Sequence, residues 1–447
     1  MKKLFGIIVL GILLALAYNY TRENKPLVKA KVHAILHELD EVSDDIKESV
    51  REKPGPMEEP KEDRTAENNR SGNATLHSNA TLQHNPPSEE LTKENHSNQT
   101  KDRTRAVNKK SMPSTANEKA TSRWIRGITQ RSSPQSWQIL QYYDDLPQEV
   151  SAPSGDDRVM SSSKSVGTWH YVKYQSKLSC LKSMGTNVHE IAHAFHHLKV
   201  YDVAGRTNRI LKWENARGYI YLSPTEGYLV SFPKEMLFPS RAIAGRIPLS
   251  RRTFRFDTYI TGNNSTQSSG VFGLLDELQA YYHGSRFRYD VFEAYEELYP
   301  QPGKGLMKWI TNSQSSMAAF HEFYFFIQEY LLYMKERYPA NFERLMSYAP
   351  FCQAYKAVYN RYHQLIMHYR QRIYQELERL NKSGKAEAHI EDGVLWIQPE
   401  GSLRREGVNL LHEDVEKLQP VLESNRYKSI RAFLNFKPAS LPRLRGY

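Results

Sequence analysis

The stretch His-Glu-Ile-Ala-His-Ala-Phe-His-His-Leu, residues 189–198, holds four of the chain's sixteen histidines. His189 and His193 are four apart, so on a helix they stand one turn above each other on one face. Two imidazoles placed that way can bind one zinc ion. Glu190 follows the first histidine and reaches the same point from the side. A carboxylate there can take a proton from a water and hand it to a leaving amine. Val188, Ile191, Ala192, Phe195 and Leu198 are apolar, which predicts a helix with its other face in a core. The competing reading is a surface helix that carries His and Glu. Against it, Glu190 is the one charge between Thr186 and Phe195, and a lone charge on such a helix needs a reason.

A catalytic zinc takes three protein ligands and keeps an open position. His196 lies seven residues beyond His189, about 10 Å along a straight helix. It cannot share a metal with both motif histidines, so His196 and His197 read as surface or rim residues. Two glutamates compete for the third place. Glu277 sits in GLLDELQAYY (273–282), where Leu274, Leu275, Leu278 and Tyr281 recur at helical spacing. Ala280, three residues on, is small enough for a close helix–helix approach. Glu214 in LKWENARG (211–218) lies twenty-one residues after His193 but is followed by no helical pattern. The pattern favours Glu277.

Thr186 to Phe195, TNVHEIAHAF, resembles the long signature of zincin metallopeptidases: uncharged residues around HExxH, with Thr or Val three positions before the first histidine. The resemblance covers one helix, or two with Glu277. In the metzincin pattern HExxHxxGxxH the glycine would fall on His196 and the last histidine on Lys199, so that branch fails. The order E-x-x-A at Glu277–Ala280 resembles the third-ligand helix of the gluzincin branch. The resemblance implies Zn2+ held by His189, His193 and Glu277, with Glu190 as general base. It implies that Asp276 accepts a hydrogen bond from a ligand histidine and so fixes its tautomer. It leaves Tyr259, Tyr281 or Tyr282 to stabilise the oxyanion of a protein or peptide substrate. It also implies an α+β zincin-like metallopeptidase domain, with a small sheet on the N-terminal side and a mainly helical C-terminal lobe. The alternative is a non-catalytic cell-envelope binding protein with a metallopeptidase-like fold.

Outward from the motif, the 447-residue chain is uneven. Lys2 and Lys3 precede an apolar run, Leu4–Leu14, and then Ala15-Leu16-Ala17. That is the pattern of an export signal, either cleaved after Ala17 or kept as a membrane anchor. Within residues 18–50, Val28, Val32, Ile35, Leu39, Val42 and Ile46 step by four and three, as in an amphipathic helical stalk. Residues 51–134, rich in Glu, Lys, Asn, Ser, Thr and Pro, read as a disordered linker. Asn69, Asn73, Asn79, Asn95 and Asn98 each begin an N-x-S/T triplet there, by composition alone. The globular domain is expected over 135–447.

The formal net charge of +11 and the pI near 9.3 suit a cell wall or a membrane surface. No RNA- or DNA-binding module is visible, so nucleic acid is not an expected partner. Cys180 and Cys352 cannot build a disulfide framework; they either pair once or stay as buried thiols. Within the domain, residues 165–174 alternate like a strand, and 218–232 read as a hairpin. Residues 271–284 read as a helix with Gly284 past its end, and 317–337 and 351–380 as long helices. The stripe Tyr355, Tyr359, Tyr362, Ile366, Tyr369, Ile373 and Leu377 reads as core. A strand at GVLWIQ and a helix from about 408 close the chain.

Overall fold

Thr115 opens the first helix, α1 (Ala116–Ser132). Its hydroxyl accepts from the Glu118 amide while the Glu118 carboxylate accepts from the Thr115 amide. This reciprocal cap satisfies two amides that a helix start leaves unpaired. The computed structural model describes residues 115–155, 157–262, 265–410 and 412–434, all within the unit Glu94–Tyr447. The expected signal, the stalk and residues 51–114 of the expected linker lie outside the described residues. The linker's expected end at 134 is corrected: α1 is part of the fold. Its buried face joins Ile125 and Ile128 to Thr121, Ser122 and Thr129. Two isoleucines among hydroxyl residues leave too weak a hydrophobic pattern to show in composition.

A second helix, α2 (Pro134–Asp145), packs with α1 onto α3 (Lys177–Arg206), which carries the histidine motif. Between them runs the hairpin β1 (Glu149–Pro153) and β2 (Val159–Ser163), antiparallel and also packed on α3. Helix α3 buries Val188, Ile191, Ala192, Phe195 and Leu198, as their spacing predicts. Residues 165–174 are not a strand. Val172 and Tyr174 do alternate inward, but this segment has no partner strand. Its amides are taken up by α3 side chains instead: Tyr171 N–H donates to Asn187 Oδ1, and Lys173 N–H to Ser183 Oγ. A helix thus serves where a sheet neighbour was expected.

The hairpin β3 (Asn215–Ser223) and β4 (Glu226–Pro233) forms as expected, and β3 rests on both α3 and α4 (Val271–Asp290). Helix α4 does not stop at Gly284. A Cβ at that position would stand 2.7 Å from the Gly185 carbonyl oxygen of α3. The glycine is there for the crossing of two helices rather than as an end signal.

The short α5 (Phe292–Leu298) leads to α6 (Lys304–Arg337), which packs along α4. Helix α7 (Pro339–Ser347) turns the chain into α8 (Ala349–Ser383). The α8 stripe is buried, with Leu377 packed against the core from its edge. A three-stranded antiparallel sheet follows, β5 (Ala386–Glu391), β6 (Val394–Pro399) and β7 (Glu406–Asn409), in the order 5-6-7. The last helices are α9 (Glu413–Glu423) and α10 (Lys428–Leu434), so the helix expected from 408 starts later, after a strand.

The described residues are mixed helix and sheet, mostly helical, with three small antiparallel sheets. None of their helices is long and apolar enough to cross a membrane. Both cysteines are free: each thiol donates to a backbone carbonyl, Cys180 to Lys173 and Cys352 to Met346. Burial pushes Cys180 up to about 12 and Cys352 up to about 11.

Ile125 is fully buried, so Ile125→Ala is expected to cost about 2–5 kcal/mol in urea unfolding. A chain begun at residue 135 should unfold at lower urea than one begun at 115. An unchanged midpoint in both would contradict the place of α1 in the core.

Candidate metal centre

Helices α3 and α4 lie close because glycines face each other at their crossing. At Gly284 a Cβ would also stand 3.3 Å from His189 Cβ. The approach brings Glu277, two turns earlier on α4, to the two motif histidines. His189 and His193 present their Nε2 atoms 3.2 Å apart. Glu277 Oε2 lies 3.2 Å from His193 Nε2 and 3.7 Å from His189 Nε2. Among the described residues this is the group of three whose donor atoms converge within 4.8 Å. Ala280, expected to permit the approach, is fully buried.

These separations have a simple reading. Ligands about 2.0–2.1 Å from a tetrahedral zinc stand about 3.3 Å from one another. The three measured edges bracket that figure. Three lone-pair donors facing one point repel unless a proton or a metal ion sits among them. The electrostatics of His193 agree. Burial opposes a charge on it, but Asp276 and Glu277 outweigh burial and hold its pKa well above the ordinary value. Burial, helped by the neighbouring charge of His193, drives His189 well below it. One position here is thus built for positive charge and another for a neutral imidazole. His189 Nδ1 is buried with no hydrogen-bond partner. The donor set, two imidazoles and a carboxylate, suits a divalent ion of zinc type.

The surroundings sort the remaining candidates. Asp276 Oδ2 accepts from His193 Nδ1 at 2.7 Å, as expected of it. Burial works against its charge, yet His193 and His196 keep its carboxyl below the usual range. Glu190 Oε1 lies 3.9 Å from His189 Nε2, with its side chain 39% exposed at the rim. Burial and the charge of Glu277 raise its pKa, with His193 pulling the other way. Glu214 is exposed in the turn before β3 and takes no part in the cluster.

Of the three tyrosines, two are at the site. The Tyr281 ring stands 4.4 Å from that of His189, and its hydroxyl is 3.1 Å from that of Tyr259. Tyr259 belongs to a single π-helical turn, Asp257–Thr261, an irregularity common at functional sites. Burial, then Glu277 and Tyr281, raise its pKa, so its proton is kept. Arg255 lies 4.5 Å over the Tyr281 ring and is itself ion-paired with the buried Glu322 of α6. Tyr282 points elsewhere, edge-on to Tyr362 of α8.

Two placements were missed. His196 is not a surface residue: it is 2% exposed, with Nδ1 3.3 Å from Asp276 Oδ1. It stands at i+3 from His193, so both histidines can flank one carboxylate of the facing helix. That spacing was visible. His197 does lie on the surface, with Nε2 2.9 Å from Ser162 Oγ. Tyr171 is the other. Its pKa is raised by burial and by the charge of Glu190, so the phenol lies within the field of the rim carboxylate. A segment expected as a strand gave no sign of that.

No family model, curated protein or solved structure matches the chain.

Glu277→Ala is expected to weaken zinc binding by more than the ~10–100-fold typical of losing a partner behind a ligand. Glu214→Ala should leave it unchanged. Competition with a chromophoric chelator reads both, and the opposite order would contradict the ligand set.

Proposed function

We propose that the chain is a zinc-dependent metalloendopeptidase of gluzincin type. The observation that carries this reading is the convergence of His189, His193 and Glu277 at tetrahedral-edge spacing, with the Glu190 carboxylate at the same rim. His189 Nε2, His193 Nε2 and Glu277 Oε2 would hold the ion. Zinc bound there supplies a Lewis acid for the scissile carbonyl and lowers the pKa of a water.

Glu190 accepts the proton from the attacking water and returns it to the leaving amine. A carboxylate raised by burial is better matched to neutral pH than a solvated one. Tyr259 and Tyr281 keep their protons beside the cluster and can donate to the developing oxyanion. Arg255, pinned by Glu322, holds the Tyr281 ring against His189. Protein or peptide is the substrate class because TNVHEIAHAF, residues 186–195, resembles the metallopeptidase signature. Export, and association with cell wall or membrane surface, belong to the same proposal and rest on the N-terminal sequence and the basic charge.

Glu190→Gln keeps the shape of the rim and removes the base. It is expected to retain zinc at wild-type affinity and to lose about 10²–10⁴-fold in cleavage of a quenched fluorescent peptide library. Wild-type cleavage by this variant would contradict the role. Zinc bound with no cleavage by the wild-type chain would favour the non-catalytic binding protein.

A further inference from the structure

Behind the cluster the polar contacts continue away from solvent. Gln279 is fully buried on α4, and its side-chain nitrogen lies 2.6 Å from the backbone oxygen of Tyr221 on β3. A carbonyl oxygen only accepts, so the amide nitrogen, not the amide oxygen, must face it. The same nitrogen lies 2.9 Å from His196 Nε2. Its second hydrogen therefore points at that ring atom, which accepts. A neutral imidazole carries one N–H. With Nε2 accepting, that hydrogen is on Nδ1, the atom 3.3 Å from Asp276 Oδ1. His196 donates to Asp276. The other oxygen of Asp276 then accepts from His193 Nδ1–H at 2.7 Å. With Nδ1 donating, Nε2 is the His193 nitrogen that faces His189 and Glu277 and would give its lone pair to a metal.

We propose that His196 is a positioning residue for the metal centre. Through it the Tyr221 carbonyl, by way of Gln279, sets the orientation of Asp276 and so the ligating tautomer of His193. The inference rests on the metal reading above and extends it one layer further. His283 reinforces the start of the chain, donating from Nε2 to the same Tyr221 oxygen at 2.9 Å while stacking on the Tyr221 ring. The sequence pattern is consistent. Asp276, Gln279 and His283 fall at i, i+3 and i+7 on α4, one stripe facing His193 and His196 at i and i+3 on α3. The arrangement has a cost, since Gln279 Oε1 is buried with no partner. An apolar residue would avoid that cost, so the amide is there for its hydrogens.

The test measures zinc affinity of the full chain by chelator competition, with zinc alone as probe, for wild type, His196→Phe, His196→Asn and Gln279→Leu. Asparagine can place an N–H where Nδ1–H was; phenylalanine fills the space with no donor. The expected result is about 10–100-fold weaker zinc for His196→Phe and Gln279→Leu, and recovery toward wild type for His196→Asn. A merely structural role would lower the melting temperature without that split. If His196→Phe does not fold, Gln279→Leu, close in volume and on the other side of the contact, carries the comparison. Nitrogen-15 NMR of the imidazoles in the metal-free chain gives a second readout. It should find His196 as the Nδ1–H tautomer in wild type, and moved toward Nε2–H in Gln279→Leu. Zinc bound equally by wild type, His196→Phe and Gln279→Leu, or an Nε2–H tautomer in wild type, would overturn the inference alone. A wild-type chain that binds no zinc would overturn the metal reading itself.

Discussion

Three lone-pair donors aimed at one point between two helices are the constraint on which the rest depends. His189 and His193 come from α3 and Glu277 from α4, and their atoms are closer than three acceptors can rest without a proton or a metal ion among them. Holding them there needs an unusually near helix crossing, and Gly284 against Gly185 provides it. It also needs both helices fixed along their length. The core face of α3 does this on one side, and α6, packed along α4, on the other. The long aromatic helices of the C-terminal lobe are in that sense a floor for the crossing.

Charged groups stand on two sides of the same point. Asp276 sits behind His193, while the buried pair of Arg255 and Glu322 stands behind Tyr281. A buried ion pair adds little net stability but is costly to break from one side. Here its effect is positional: the guanidinium lies over the Tyr281 ring, which meets His189 edge-on at 66°. On the open side stand Glu190, Tyr171 and Tyr259, residues that can meet an incoming chain. The site thus has a back built of helix and carboxylate and a half-exposed rim, from which Glu190 would act in the proposed reaction.

Much of this was legible because helical period carries it. The i, i+4 histidines, the apolar face from Val188 to Leu198, and Glu277 on a second periodic helix could all be read from spacing, and Asp276 from the resemblance. What period could not carry was lost. Helix α1 buries Ile125 and Ile128 among Thr121, Ser122 and Thr129, a face with too few apolar residues to mark it. Residues 165–174 alternate as a strand does, but the alternation comes from lying on α3, and sequence cannot tell a helix neighbour from a sheet neighbour. His196 was excluded as a ligand on correct axial geometry and then misplaced at the surface. A histidine can be buried for what it donates to rather than for what it binds. Gln279 and His283 had no signal of their own until their partner, a backbone carbonyl of β3, was in view.

The central claim is that residues 189–193 and 277 form a metal site. Zinc content by inductively coupled plasma mass spectrometry, on the chain purified without a histidine tag beside His193→Ala, tests it most directly. The account predicts about one zinc per wild-type chain and loss of that zinc in the variant. No zinc in either form after supplementation with the metal, or equal zinc in both, would contradict it.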